Sequence, residues 1–162
     1  MLYGDSDMRE IRTYSEKETE QLGKKIGKLA WPGMIILLRG DLGTGKTVLT
    51  RGIARGLGID EPITSPTYTL LHQYIGRLPL YHFDIYRLTD PEEMYDLDYE
   101  EFFYGQGVSV VEWPERMEDL GPHEYLEIRI GKNLDHEGEE RIIRIKPVGE
   151  EYKKFAKDLM DI

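Results

Sequence analysis

Gly40-Asp41-Leu42-Gly43-Thr44-Gly45-Lys46-Thr47 is the stretch whose residue types and spacing can do chemistry. It reads Gly-x-x-x-x-Gly-Lys-Thr, the phosphate-loop pattern. Glycines free the backbone N–H groups of side-chain obstruction, so that several can converge on phosphate oxygens at a helix N-terminus whose dipole also favours negative charge. Asp41, Leu42, Gly43, Thr44, Gly45, Lys46, Thr47 and Val48 are therefore the expected phosphate-contacting run. Within it, Lys46 is expected to reach the β and γ phosphates, and the Thr47 hydroxyl to bind Mg²⁺.

That metal needs a second anchor, usually an acid at the end of a neighbouring strand. Glu112 follows the run Val108-Ser109-Val110-Val111, and Asp84 follows Leu80-Tyr81-His82-Phe83. The valine-rich run is apolar enough to lie deep in a sheet beside the strand that leads into the loop. Tyr81 and His82 point to a strand nearer an edge or with one wetter face. Glu112 is accordingly the expected metal acid, directly or through water. Asp84 is a second acid, placed to orient a water or to bind something else; for an acid at a strand end, a helix cap or surface charge is the alternative.

The connection Thr64-Ser65-Pro66-Thr67-Tyr68-Thr69 is rich in hydroxyls and follows the loop's helix. Nucleotide switches that sense a γ-phosphate occupy this place, with Ser65 and Thr67 the candidate contacts, although the same residues are also ordinary loop residues. His72, His82, His123 and His136 show no metal-ligand spacing and read as surface or packing residues. The acidic run from Asp90 to Glu101 reads as the solvated face of a helix, with a docking patch for a basic partner as the other reading. No Asn/Thr-Lys-x-Asp tetrapeptide of a guanine site occurs, which favours ATP over GTP.

The elements that must position these groups are those of an α/β chain. Met34 to Leu38 is a continuous apolar run of the kind a doubly buried parallel strand shows, and Val48 to Arg55 has helical spacing, with Gly56 and Gly58 as its stoppers. Before them, Thr13 to Ala30 reads as a helix with Ser15-x-x-Glu18 as a capping box. Tyr68 to Ile75 and Leu80 to Tyr86 read as strands joined by a turn at Gly76. Asp90-Pro91-Glu92-Glu93 announces a helix running to about Tyr104. Tyr125 to Ile130 and Arg141 to Ile145 form an expected hairpin, and Glu151 to Met160 a last helix. The expected architecture is a three-layer α/β, P-loop NTPase-like fold: one ATPase domain over 1–162 with a mixed, partly parallel central sheet and a C-terminal hairpin.

Composition sets bounds. The 162 residues suffice for one real core, with 40% apolar content. A formal net charge of −10 is the wrong sign for a protein that neutralises a nucleic-acid backbone by itself. No apolar run approaches the roughly 18 residues of a membrane span, and the polar, acidic start lacks the pattern of a signal peptide, so a cytoplasmic location is expected. With no cysteine, thiolate catalysis and zinc-thiolate sites are excluded.

Three blocks, "RGDLGTGKT" (39–47), "TSPTYTLLHQY" (64–74) and "LYHFDIYRLTDPEE…VEWPER" (80–116), together resemble the bacterial TsaE (YjeE) family. These are small P-loop ATPases needed to make N6-threonylcarbamoyladenosine in tRNA. The resemblance covers roughly 35–116; where it leads one to expect Leu-Gly in the helix after Asp90-Pro91-Glu92-Glu93, this chain has Leu97-Asp98. It implies a Mg²⁺-dependent ATPase that binds the TsaB–TsaD heterodimer and resets it between rounds, meeting tRNA only through that complex. It also implies that Lys46, Asp84 and Glu112 are the catalytic set, that Thr47 and Glu112 hold the metal, and that Asp84 and Trp113 line the nucleotide site. Two other readings remain: a small-molecule kinase using Asp84-x-x-Arg87, against which no arginine-rich lid is visible, and a nucleotide-binding module without meaningful turnover.

Overall fold

The computed structural model describes residues 7–41, 43–64, 70–133 and 138–161. Among them the frame is a mixed seven-stranded sheet. Its strands are β1 (Arg9–Thr13), β2 (Ile35–Arg39), β3 (Leu71–Tyr74), β4 (Leu80–Asp84), β5 (Val108–Glu112), β6 (Tyr125–Lys132) and β7 (Arg141–Val148), ordered β1-β7-β6-β2-β5-β4-β3. The β6–β2, β2–β5 and β5–β4 pairs are parallel, and the pairs at either side are antiparallel. Every residue of β5 and all but the last of β2 are buried, as parallel strands covered on both faces require.

Two cores give the three layers. On one face Ile36, Leu38, Val110 and Ile128 pack against Ile26 of α1 (Glu16–Leu29), Ile53 of α2 (Lys46–Gly56) and Phe155 of α4 (Glu150–Met160). On the other, Ile35, Leu37, Phe83 and Val111 meet Met94 and Met117 from the 3-10 turns Pro91–Leu97 and Pro114–Leu120, together with Phe103 of α3 (Tyr99–Phe103). Among the described residues no helix is long and apolar enough to cross a membrane.

Four expectations change. The chain before Ser15 is a strand, β1, because its alternating residues pair with β7. The Ser15 hydroxyl caps α1 by accepting from the Glu18 N–H at 3.1 Å, while the Glu18 carboxylate accepts from Tyr14 rather than from the cap residue. Gly56 is no stopper: it is the last residue of α2, and a Cβ there would lie 2.3 Å from the Lys24 carbonyl oxygen, so its hydrogen lets α2 press on α1. The expected helix from Asp90 to Tyr104 is broken, since Asp98 has φ 53 and separates a 3-10 turn from α3. This is the position where the family resemblance leads one to expect glycine, the residue that takes a left-handed conformation without cost.

Candidate nucleotide site

Strand β2 ends at Arg39 and α2 begins at Lys46, so the intervening turn must reverse direction in six residues. Gly45 does this with φ 110, and Gly43 with φ 78 has open space where a Cβ would point. The Thr44 hydroxyl donates to the Asp41 carbonyl at 2.8 Å and closes the turn on itself. Leu42 lies outside the described residues, as do Ser65 and Thr67 of the expected switch.

Register brings the acids to the loop. Leu38 of β2 is paired with Glu112 of β5, and Glu112 with Asp84 of β4. Both carboxylates thus stand at the carboxyl ends of parallel strands, where open α/β sheets place their ligands. The side chains of His82, Asp84 and Glu112 share the α2 face, because alternate residues of a strand point the same way.

Glu112 is only 3% exposed and Lys46 only 6%, yet among the described residues the Lys46 Nζ has no hydrogen-bond acceptor. Its neighbours are Glu112 Oε1 at 3.9 Å and the Trp113 ring, whose centroid is 4.0 Å away. Leaving a buried ammonium without acceptors is costly, and among the described residues the Glu112 carboxylate and the Trp113 ring are what offset that cost. The other Glu112 oxygen, Oε2, lies 2.5 Å from His82 Nε2, and His82 is fully buried. A carboxylate only accepts, so Nε2 carries the proton of that bond. Asp84 is half-buried; burial pushes its carboxyl above the usual carboxylate range, the nearby Glu112 charge adds to this, and a hydrogen bond from the Tyr86 N–H opposes it.

Lys46, Asp84, Glu112 and Trp113 line one cavity of ≈ 400 Å³, within the range of small-molecule sites. Gly43, Thr44, Gly45, Lys46, Thr47, Val48, Asp84, Glu112 and Trp113 all face it, whereas Asp41 contributes only its carbonyl to the loop's own turn. Glu16 and Thr19 of α1, with Glu139 and Arg141 of the hairpin, complete the lining and were not expected there. His82, expected as a surface or packing residue, is fully packed in the interior, and its bond to Glu112 is the part that sequence does not announce. One signal was present: His82 stands two residues before Asp84, so both project to one face beside the strand that bears Glu112.

The family model described as "Threonylcarbamoyl adenosine biosynthesis protein TsaE" matches residues 13–143. The chain belongs to the TsaE family. A curated relative, tRNA threonylcarbamoyladenosine biosynthesis protein TsaE of Bacillus subtilis (strain 168), is 43% identical over 149 residues, 91% of each chain. The TsaE of Treponema pallidum (strain Nichols) is 48% identical over 103 residues, covering 64% of this chain and 76% of the relative. The crystal structure of Bacillus subtilis YdiB superposes with a TM-score of 0.79 at 37% identity, covering 95% of both chains. The TsaE match extends past the motif-bearing middle of the chain to the end of β1 and the start of β7, and so takes in Thr19 of α1 and Arg141 of β7 in the cavity lining.

Proposed function

We propose that this TsaE-family chain is a Mg²⁺-dependent ATPase that supports formation of N6-threonylcarbamoyladenosine in tRNA by binding and resetting the TsaB–TsaD pair, and that it does not transfer the threonylcarbamoyl group itself. One observation carries the ATPase reading: a buried lysine ammonium, without a hydrogen-bond acceptor among the described residues, at the mouth of a glycine turn and helix N-terminus and facing a buried carboxylate. Backbone N–H groups of the turn would take the phosphates, and Lys46 would move from the Trp113 face onto their oxygens. Among the described residues no group of three or more carboxylates and histidines forms a metal site alone, which suits an ion that draws most of its ligands from phosphates and water. Thr47 and Glu112 are the residues that would hold Mg²⁺, which when bound neutralises charge on the β and γ phosphates.

In hydrolysis a water adds to the γ-phosphorus as the bond to the bridging oxygen breaks, and that oxygen keeps the electron pair in ADP. Asp84, across the strand pair from Glu112, is placed to hold this water and take its proton. The net charge of −10 fits service to tRNA through a complex rather than by direct grip, in the cytoplasm where the modification is made. The chain works as one ATPase domain in this reading. Reconstitution with TsaB, TsaD, threonylcarbamoyl-adenylate and tRNA tests it: the chain should raise the number of turnovers per complex, and its Lys46→Ala variant should not. Equal multi-round yield without the chain contradicts the resetting role.

A further inference from the structure

The phosphate loop leans on the C-terminal hairpin as well as on its own helix. Gly40 is so close to β6 that a Cβ there would lie 2.5 Å from the Ile130 carbonyl oxygen. From the first residue of β7, Arg141 Nε donates to the Thr44 carbonyl at 2.6 Å. Its Nη1 donates to the carbonyls of Gly138 at 3.0 Å and Glu140 at 2.9 Å, which ties the same guanidinium to the hairpin's own backbone. One planar fork thus spans the loop and the hairpin 97 residues away in the chain.

We infer that Arg141 is a positioning residue that presets the phosphate loop: by holding the Thr44 carbonyl on the hairpin side, it commits the N–H of the same peptide unit, that of Gly45, to the anion side. A trans peptide is planar, with its C=O and N–H pointing in opposite directions. Fixing one fixes the other. Gly45 has φ 110 and Gly43 φ 78, so the backbone on either side of Thr44 is intrinsically permissive and holds no single orientation by its own sterics. The Asp41 carbonyl is already engaged by the Thr44 hydroxyl, and Arg141 supplies the corresponding restraint for Thr44. Preorganised N–H groups bind an anion without first paying the entropy of ordering the loop. Nothing in the Gly-x-x-x-x-Gly-Lys-Thr spacing calls for this arginine; the fold brings it there through the β2–β6–β7 adjacency.

This inference rests on the reading that the loop holds phosphates, and the experiment separates the two. Calorimetric titration of the full chain with tripolyphosphate, with ATP and with adenosine is compared for wild type, Arg141→Met, which keeps the stem without donors or charge, and Arg141→Lys, which keeps the charge without the fork. Amide exchange across residues 43–47 is followed in the same proteins, and circular dichroism confirms their fold. The expected result is a weakening of about tenfold for tripolyphosphate and ATP alike in Arg141→Met, faster exchange in the loop, and a smaller change for adenosine, which brings no phosphate to the loop. Arg141→Lys should remain several-fold weaker than wild type. Wild-type tripolyphosphate affinity and loop exchange in Arg141→Met, or full recovery by lysine, overturns the positioning role; should the methionine variant not fold, the lysine comparison decides. A wild-type chain that takes neither tripolyphosphate nor ATP overturns the phosphate-loop reading itself.

Discussion

His82 Nε2 lies 2.5 Å from Glu112 Oε2 across two neighbouring strands, and both side chains are buried. The bond fixes one oxygen of the carboxylate and leaves the other facing Lys46. Truncating the imidazole in His82→Ala removes the donor and opens a cavity, so the variant should lose about 2–4 kcal/mol of stability. For a chain of this size that is a fall in Tm of roughly 5–15 °C, read by thermal and denaturant unfolding. His82→Gln, which retains a donor, should recover part of the loss. An unchanged midpoint in His82→Ala contradicts the bond.

Trp113 is the aromatic face on which the Lys46 ammonium rests, and its ring also touches Tyr86 at 4.9 Å. Drawing that ammonium onto phosphates changes the field at the indole, so addition of Mg²⁺ and ATP should shift the intrinsic fluorescence. Trp31, the other tryptophan, packs on Tyr152 and Phe155 before the start of β2, at the far end of the strand from the loop. The shift should vanish in Trp113→Phe and survive in Trp31→Phe. A signal carried by Trp31 would place the nucleotide elsewhere.

Burial and the Glu112 charge raise the Asp84 carboxyl above its ordinary value of 3.8, which makes the ionised form a burden on the fold. For an acid whose folded pKa is raised, the favourable contribution is complete below the unfolded pKa and is lost as pH rises through the folded pKa. Asp84→Asn keeps an acceptor for the Tyr86 N–H and carries no charge. It should therefore be more stable than wild type at pH 7 to 8, with the gain shrinking as pH falls toward about 4 and below. A stability difference that does not vary with pH contradicts this account of the site's electrostatics.

Much of the architecture was legible because its signals are local. The apolar runs at Ile35–Leu38 and Val108–Val111 could bury both faces only in a parallel sheet, and the glycine spacing between Arg39 and Lys46 calls for the tight strand-to-helix turn found there. The adjacency of β5 to β2, which puts Glu112 rather than a surface acid beside the loop, also followed from the valines. What escaped depends on long-range packing. β1 is a strand because β7 offers it an edge, and nothing in Arg9–Thr13 states that β7 will be there. The Asp98 break shows a capping sequence correct at its start, with Asp90 accepting from the Glu92 N–H, and silent about where the helix fails. Arg141 reaches the cavity, and His82 the buried oxygen of Glu112 behind it, through strand order, which their own neighbours in sequence do not encode.

Phosphate release from ATP by the purified chain, followed with Mg²⁺ and with EDTA, in the presence and absence of TsaB and TsaD, tests the central claim most directly. Wild type should release phosphate only with Mg²⁺ and faster with the pair. Lys46→Ala, which removes the buried ammonium, and Glu112→Gln, which removes the carboxylate charge, should fold and lose release by at least about a hundredfold, the scale of a lost charge contact in a transition state. Release by Lys46→Ala at the wild-type rate, or by wild type in EDTA, would contradict a Mg²⁺-dependent ATPase built on the loop between β2 and α2.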